Sequence, residues 1–473
     1  MKTQCTQKSF AFHALGNRDV VARFDGGRIT SDAGGLLLRE VERKLGILRQ
    51  LAACFDDHRD PDLIEHSVLE LISQRVYALA LGYEDLNDHD ELRHDPLLAV
   101  LAGKADPTGM DRQLARDRGK ACAGKSTLNR LELTPIGASA AHRYKKIVAH
   151  QDAIEQLFVD AFLQSQHRAP RQIVLDLDAT DDPVHGRQLG RFFHGYYGHY
   201  CYLPLYIFAG DHLLCAKLRP ADIDAASGSV QELERIVGQI RRRWPRVRII
   251  VRADSGFCRE NIMAWCERNR VDYVLGLAKN ERLIAEIDPE LYEAQEYLEA
   301  TGQPARVFRD FEYRTLDSWS RSRRVIGKAE QLPAGPNPRF IVTSLAKSEV
   351  DGRSLYEDVY CARGDMENRI KEQQLGLFAD RTSAATMRAN QLRLWLSSVA
   401  YVLMSGLRRL GLAGTAWSGA QCDTIRLKLL KIGARVQVTV RKVWLSFSEA
   451  YPYQALFAAV YDNLRSVRAG PAG

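Results

Sequence analysis

Residues Ile173-Val174-Leu175-Asp176-Leu177-Asp178 form a short apolar run that carries two acids. In an extended chain successive side chains point to opposite faces, so Ile173, Leu175 and Leu177 take one face and Val174, Asp176 and Asp178 the other. Carboxylates on one face of an otherwise apolar strand are costly unless they are paired or metal-bound. The rest of the chain must therefore supply partners for this strand.

Beyond this run the chain reads as an α/β layer built on one sheet. Strands are expected at Cys201 to Ala209 and His212 to Leu218, then a helix at Val230 to Arg243 closed by Trp244-Pro245. A strand at Val247 to Arg252, a helix at Asn261 to Asn269 and a strand at Tyr273 to Leu277 complete the pattern. From about 284 to 345 the character shifts to charged, strand-like segments: Ala305 to Arg314, Arg323 to Glu330 and Arg339 to Ser344. This is a β-rich insertion. A helical region runs from about Leu355 to Leu410, and the tail carries two expected strands, Val436 to Val440 and Val443 to Phe447. Ahead of residue 165 the chain is mainly helical after a β-like opening, Val20 to Ile29, with helices at Ala33 to Leu45 and Leu63 to Leu81.

Charge distribution says more than the net +7. Asp56 to Asp95 holds twelve acids against three bases, Lys104 to Lys146 ten bases against four acids, and Ser405 to Gly473 ten bases against three acids. Basic clusters are the footprint expected for phosphate backbones; a solvated face is the plain alternative. Nine cysteines from Cys5 to Cys422, with no C-x-x-C pair, suggest neither a disulfide framework nor a zinc knuckle. A reducing compartment is expected. The polar stretch after Met1-Lys2 has no apolar core, so no signal peptide is expected. Leu394 to Leu407 is too short to span a bilayer and reads as a buried helix.

Two motifs invite other chemistry. Gly119 to Ser126 matches the phosphate-loop pattern G-x-x-x-x-G-K-[ST], but the charged stretch Gly109 to Arg118 ahead of it cannot be the central strand such a loop needs. A basic helix or loop is favoured there, and no nucleotide cofactor is expected. The acidic run Asp85 to Asp95 lacks the calcium-loop glycine, has Asp90 at the sixth place and Pro96 where the bidentate Glu belongs. It reads as a surface loop.

Two further acids join Asp178. The strand Val247 to Arg252 runs into Ala253-Asp254-Ser255-Gly256-Phe257, leaving Asp254 at a strand's carboxyl end, where ligands gather in α/β sheets. On the long helix, Tyr360, Arg363, Glu367, Lys371 and Gln374 recur at three- or four-residue steps and share a face, with Glu367 bracketed by two cations. Singly, Asp254 reads as a helix cap and Arg363-Glu367-Lys371 as an ion-pair ladder. Together, acids from a strand, a strand end and a helix fit a carboxylate cage for two divalent ions acting on a phosphodiester.

These residues resemble the DDE insertion-sequence transposases, in the branch with a β-strand insertion before the final Glu. The resemblance rests on Asp178-Ala179-Thr180, on Arg252 to Phe257, and on Tyr360-x-x-Arg363-x-x-x-Glu367. It also rests on Phe24-Asp25-Gly26-Gly27, Ser31-Asp32-Ala33-Gly34, Leu81 to Asp88 and Ser126 to Glu132, and covers most of the chain to about residue 410. The family's Glu-x6-Lys slot holds Gln374 here, with the lysine at Lys371. Asp176, Asp181 and Asp182 compete with Asp178, which only the D-x-T pattern selects.

The resemblance implies an α/β fold whose ribonuclease-H-like catalytic core is interrupted by a β-rich insertion and preceded by a mainly helical region. The divisions would be 1–165 (helical, DNA-binding), 166–283 (first part of the core), 284–345 (insertion), 346–410 (completion of the core, with Glu367) and 411–473 (basic tail). Asp178, Asp254 and Glu367 would hold two Mg²⁺ ions, with Mn²⁺ able to substitute. Arg363 and Lys371 would position phosphates, and Trp319, with Arg321, Arg323 and Arg324, would stack on an unpaired base.

The implied activity is binding of terminal inverted repeats, metal-dependent cleavage and transfer of the 3′-OH into target DNA. A homodimer on DNA, no membrane association and a cytoplasmic, nucleoid-associated location go with it. The rivals are a nuclease on the same fold without strand transfer, a non-catalytic transposase-derived DNA-binding protein, and a phosphate-loop ATPase dependent on Lys125.

Overall fold

The computed structural model describes residues 8–467. Cys5, the Met1-Lys2 opening and the last six residues of the basic tail lie outside them. The chain divides into two compact units, one of residues 1–150, 376–378 and 399–473, the other of residues 151–375 and 379–398.

The second unit is built on a mixed nine-stranded sheet. Strand Gln172–Ala179 lies inside it, and its alternation is the expected one: Ile173, Leu175 and Leu177 enter the main apolar core, while Val174 packs against a smaller cluster on the opposite face. Leu205–Ala209 pairs with it antiparallel, placing Tyr206 opposite Asp178, and His212–Lys217 extends that meander. Helix Ser229–Arg243 carries the chain to Arg248–Ala253, which runs parallel to Gln172–Ala179 on its other side. Helix Glu260–Arg268 then leads to Asp272–Leu277, again parallel.

The expected strand Cys201 to Ala209 is two strands, His199–Tyr202 and Leu205–Ala209, in different sheets. Pro204 has no N–H to give to a ladder, so the chain changes sheets there.

Between residues 284 and 345 the three expected strands are present, and they continue the same sheet. Arg339–Thr343 pairs with Asp272–Leu277, Arg323–Leu332 with Arg339–Thr343, and Ala305–Tyr313 with Arg323–Leu332. Two helices precede them, Glu281–Glu286 and Asp288–Thr301. The second buries only Ala294 among its residues, so it has little apolar periodicity to read; its Glu, Ala and Leu content carries the helix propensity.

In the first unit the opening splits in two. Arg18–Ala22 forms a hairpin with Phe10–Leu15, whereas Arg28–Thr30 pairs with Ala434–Val438 of the tail, which pairs in turn with Val443–Phe447. Helix Val68–Leu81 starts later than Leu63, at a capping box in which Ser67 and Glu70 satisfy each other's backbone N–H groups. The stretch Leu394 to Leu407 falls mostly in helix Met387–Gly406, with Leu394, Leu396, Val399 and Leu403 buried. Among the described residues no helix is long and apolar enough to cross a membrane, and the described cysteines are free thiols.

The acidic and basic blocks of this unit meet at three ion pairs. Lys104 pairs with Glu70 at 3.1 Å, Arg112 with Glu65 at 2.5 Å and Lys125 with Asp90 at 3.3 Å. Arg75 and Glu132 make the reverse pair at 3.1 Å, almost fully buried. Part of the positive charge between Lys104 and Lys146 is thus internally neutralised.

Candidate active site

Strands Gln172–Ala179 and Arg248–Ala253 run side by side and parallel, with Leu177 opposite Ala253. Asp178 and Asp254 therefore leave the sheet at the same end. Asp178 Oδ1 accepts the Ala179 N–H at 3.0 Å. Burial raises its carboxyl; Arg363 opposes the shift, the negative charges of Asp254 and Glu367 add to it, and the pKa reaches about 7. Asp254 Oδ1 accepts the Gly256 N–H at 2.9 Å, capping the one-turn helix Ser255–Phe257. The capping role considered from the sequence is therefore real for one of its oxygens.

The third acid comes from an irregular helical run: a widened turn Leu355–Tyr360, a tight turn Cys361–Arg363, helix Gly364–Lys371 and a second widened turn Glu372–Gly376. Widened turns of this kind recur at functional sites. Arg363 Nη2 donates to Glu367 Oε1 at 2.5 Å, and its Nη1 lies 3.8 Å from Asp178 Oδ2. The guanidinium thus stands between two of the three acids. Lys371 is exposed one turn beyond Glu367. Gln374 reaches back instead, donating to the Asp181 carbonyl at 3.0 Å.

The other aspartates are engaged elsewhere. Asp176 sits directly across from Arg252 and binds it through both oxygens, at 2.5 and 2.8 Å. Arg252 also donates to the Val359 carbonyl, so this buried pair ties the sheet to the turn before Tyr360. Asp181 meets His199 Nε2 at 2.8 Å. Asp182 is sealed inside, where burial holds its carboxyl well above the usual carboxylate range.

Gly276 completes the site and went unmarked in the sequence. A Cβ there would lie 2.6 Å from Tyr360 Oη and 2.8 Å from the Ser255 nitrogen. A glycine inside a strand pattern is the available signal, because it marks close backbone approach.

Trp319 is buried in the main core with its ring edge-on to Tyr313 at 5.8 Å. Arg323 is bound by Glu260 and Glu267 at 2.7 and 2.8 Å, and Arg324 by Asp310 at 2.8 Å. Trp319 accordingly offers no open face to a base here, and Arg323 and Arg324 are spent on internal carboxylates. Arg321 also pairs with Glu267, at 2.7 Å, yet stays 59% exposed.

Of the two other motifs, Lys125 of the phosphate-loop look-alike opens helix Lys125–Glu132 and bonds to Asn87 at 3.1 Å. Among the described residues no strand lies between Asp57 and Ile147 to deliver such a loop. In the Asp85 to Asp95 run, His89–Leu92 is a short helix and His89 is fully buried against Gln74.

Divalent ions suit this donor set in kind: Asp178, Asp254 and Glu367 supply hard carboxylate oxygens, and burial makes the Asp178 charge costly even with Arg363 beside it. Among the described residues no three His, Cys, Asp or Glu side chains already stand together as a cage. Glu367 faces Arg363 instead.

A family model described as the transposase DDE domain, group 1, matches residues 12–469. No curated protein matches the chain. With the match running over nearly its whole length, the chain belongs to this transposase family.

Proposed function

We propose that this family member cuts DNA at the terminal inverted repeats of its element and joins the freed 3′-OH to target DNA, using Asp178, Asp254 and Glu367. The observation that carries this reading is the buried Asp178 carboxyl, raised to about 7 beside Asp254 and Glu367. Burial is the main cause of that shift, with the two neighbouring acids adding to it and Arg363 only partly opposing it, so the site favours a further cation.

The order of the sheet supports a ribonuclease-H-like core. A central strand is flanked on one side by an antiparallel meander and on the other by two parallel strands reached over helices. On this reading the strands between Ala305 and Thr343 are the insertion, lengthening the core sheet at one edge. Two Mg²⁺ ions, when bound, would activate the attacking oxygen and stabilise the leaving one. Asp178 and Asp254 would hold them from adjacent strand ends, and Glu367 from the helix. Arg363 and Lys371 would grip phosphate oxygens, and the Asp176–Arg252 pair would keep the helix in place on the sheet. Because two ends must be joined to one target, a dimer on DNA is part of the proposal.

The test is cleavage and joining with purified protein, Mg²⁺ and duplexes bearing the element's own ends. Glu367→Gln and Asp254→Ala should abolish both while the protein stays folded; retained Mg²⁺-dependent cleavage in either would sink the assignment. A pre-cut end with a free 3′-OH separates a transposase, which joins it, from a nuclease, which does not.

A further inference from the structure

The strand pair Phe192–His194 and His199–Tyr202 forms a hairpin whose rings face outward. Tyr196 at its tip is 87% exposed, Phe193 57% and Tyr200 48%. Phe193 and Tyr200 lie directly opposite each other, edge to face at 5.7 Å, and the Arg191 guanidinium stands 4.4 Å from the Tyr200 ring centre. Exposed rings gathered on so short a hairpin gain nothing from water and mark a contact surface. From Pro183 to Gly210 there is no acidic residue, while Arg187, Arg191 and three histidines lie within or beside the hairpin.

The other side of the hairpin is fastened to the chain leaving Asp178. Tyr197 Oη donates to the Ala179 carbonyl at 3.4 Å, and His199 Nε2 meets Asp181 Oδ2 at 2.8 Å. Asp181 is three residues past Asp178, a span of at most about 10 Å at ~3.3 Å per extended residue. That is roughly three base steps of a DNA strand at ~3.4 Å each.

We propose that Phe193, Tyr196 and Tyr200, with Arg191, form a stacking platform for unpaired DNA bases close to the carboxylate site at Asp178. The inference rests on the transposase reading and adds a contact to it. A paired duplex hides its base faces, so rings of this kind can take only bases that have left the stack. An acid-free hairpin carrying Arg187 and Arg191 suits a phosphate backbone while its exposed rings suit the faces of unpaired bases, and the two together favour nucleic acid over a protein partner. Trp319, buried in the core, cannot supply such a face as it stands.

The test is fluorescence anisotropy in Ca²⁺, with a labelled duplex that is either blunt or extended by a short 3′ overhang of thymidines. Wild-type protein should bind the overhang duplex more tightly than the blunt one. Replacing Phe193, Tyr196 and Tyr200 together by Ala should weaken overhang binding by about 5- to 100-fold, the range of losing one stacked base, and leave blunt binding unchanged. Tyr200→Phe should keep the preference, because the ring remains. Equal binding of the overhang by wild type and the triple variant overturns the platform while leaving the transposase reading intact. Wild-type protein that binds neither duplex overturns both. A triple variant with altered mass by light scattering would instead show that the hairpin joins protein to protein, and would also overturn the inference.

Discussion

Arg363 bonds Glu367 at 2.5 Å and reaches to within 3.8 Å of Asp178. A single guanidinium therefore occupies the electrostatic position between two acids where a divalent ion is proposed to bind. Both acids stay close in the protein alone because this side chain partly offsets their repulsion. On the proposed reading, a metal bound there would displace Arg363 towards a phosphate.

Arg363→Gln should bind Mn²⁺ more tightly than wild type, on the order of tenfold, because one positive charge a few ångströms from the ion is removed. Cleavage should fall in the same variant, since the phosphate contact is lost. Mn²⁺ titration followed by electron paramagnetic resonance reads the first effect and a cleavage assay the second. Weaker Mn²⁺ binding would mean that Arg363 orders the acids and does not compete with the ion.

Asp176 and Asp178 share a strand face and should respond in opposite ways to removal of charge. Asp176→Asn leaves Arg252 buried without its counter-charge, a loss of about 3–5 kcal/mol. For Asp178 the folded pKa, about 7, lies above the usual 3.8. As pH rises through that window the unfolded carboxyl ionises freely and the folded one resists, so the metal-free protein loses stability. Asp178→Asn removes this loss. Its advantage over wild type should grow from acid to neutral pH and level off above about pH 7, as read from urea midpoints in chelator. No pH dependence in that difference would place Asp178 in water.

The alternation of Ile173 to Asp178 was legible because a two-residue period needs no knowledge of neighbours, and Asp254 stood out as an acid ending an apolar strand. Long-range pairing was not legible. Nothing local in Arg323 or Arg324 says that Glu260, Glu267 and Asp310 will hold them, nor that the core will close over Trp319. The same limit hid the pairing of Arg112 with Glu65 and Lys104 with Glu70, which takes two cations of the basic block into internal ion pairs. The break at Pro204 and the close approach at Gly276, by contrast, were written in residue types whose backbone meaning is known in advance.

Gly276→Ala should damage the reaction more than the fold. Its new methyl group would meet the Tyr360 hydroxyl at 2.6 Å and the Ser255 nitrogen at 2.8 Å, and the backbone that must yield is the one carrying Asp254. A displacement of about 1 Å at a reacting group costs on the order of 100-fold in rate. Cleavage should drop by that order while the melting temperature falls by only a few degrees. An active variant would show that Asp254 has slack.

Acid should destabilise the first unit through two buried histidines. Burial pushes both His66 and His89 from 6.5 down to about 3, with Lys104 and Arg112 adding to the effect at His66 and Arg75 at His89. Arg112 donates to His66 Nε2 at 2.8 Å and Gln74 to His89 Nδ1 at 2.9 Å, so each ring is held as a neutral acceptor. Below pH 6.5 the unfolded chain takes up these protons and the folded chain does not, so stability is lost progressively towards pH 3. Glu42 acts in the opposite sense: burial raises its carboxyl from 4.5 to about 7, so folding becomes easier as pH falls through that range. The comparison must therefore be made between variants at each pH. His89→Gln keeps an acceptor for Gln74 and carries no titrating group, so its stability relative to wild type should rise steadily from pH 6.5 downwards. Hydrogen exchange in the Val68–Leu81 helix, which holds Gln74, reads this directly. A difference that does not change with pH would show that His89 is protonated as easily in the folded protein as in the unfolded chain.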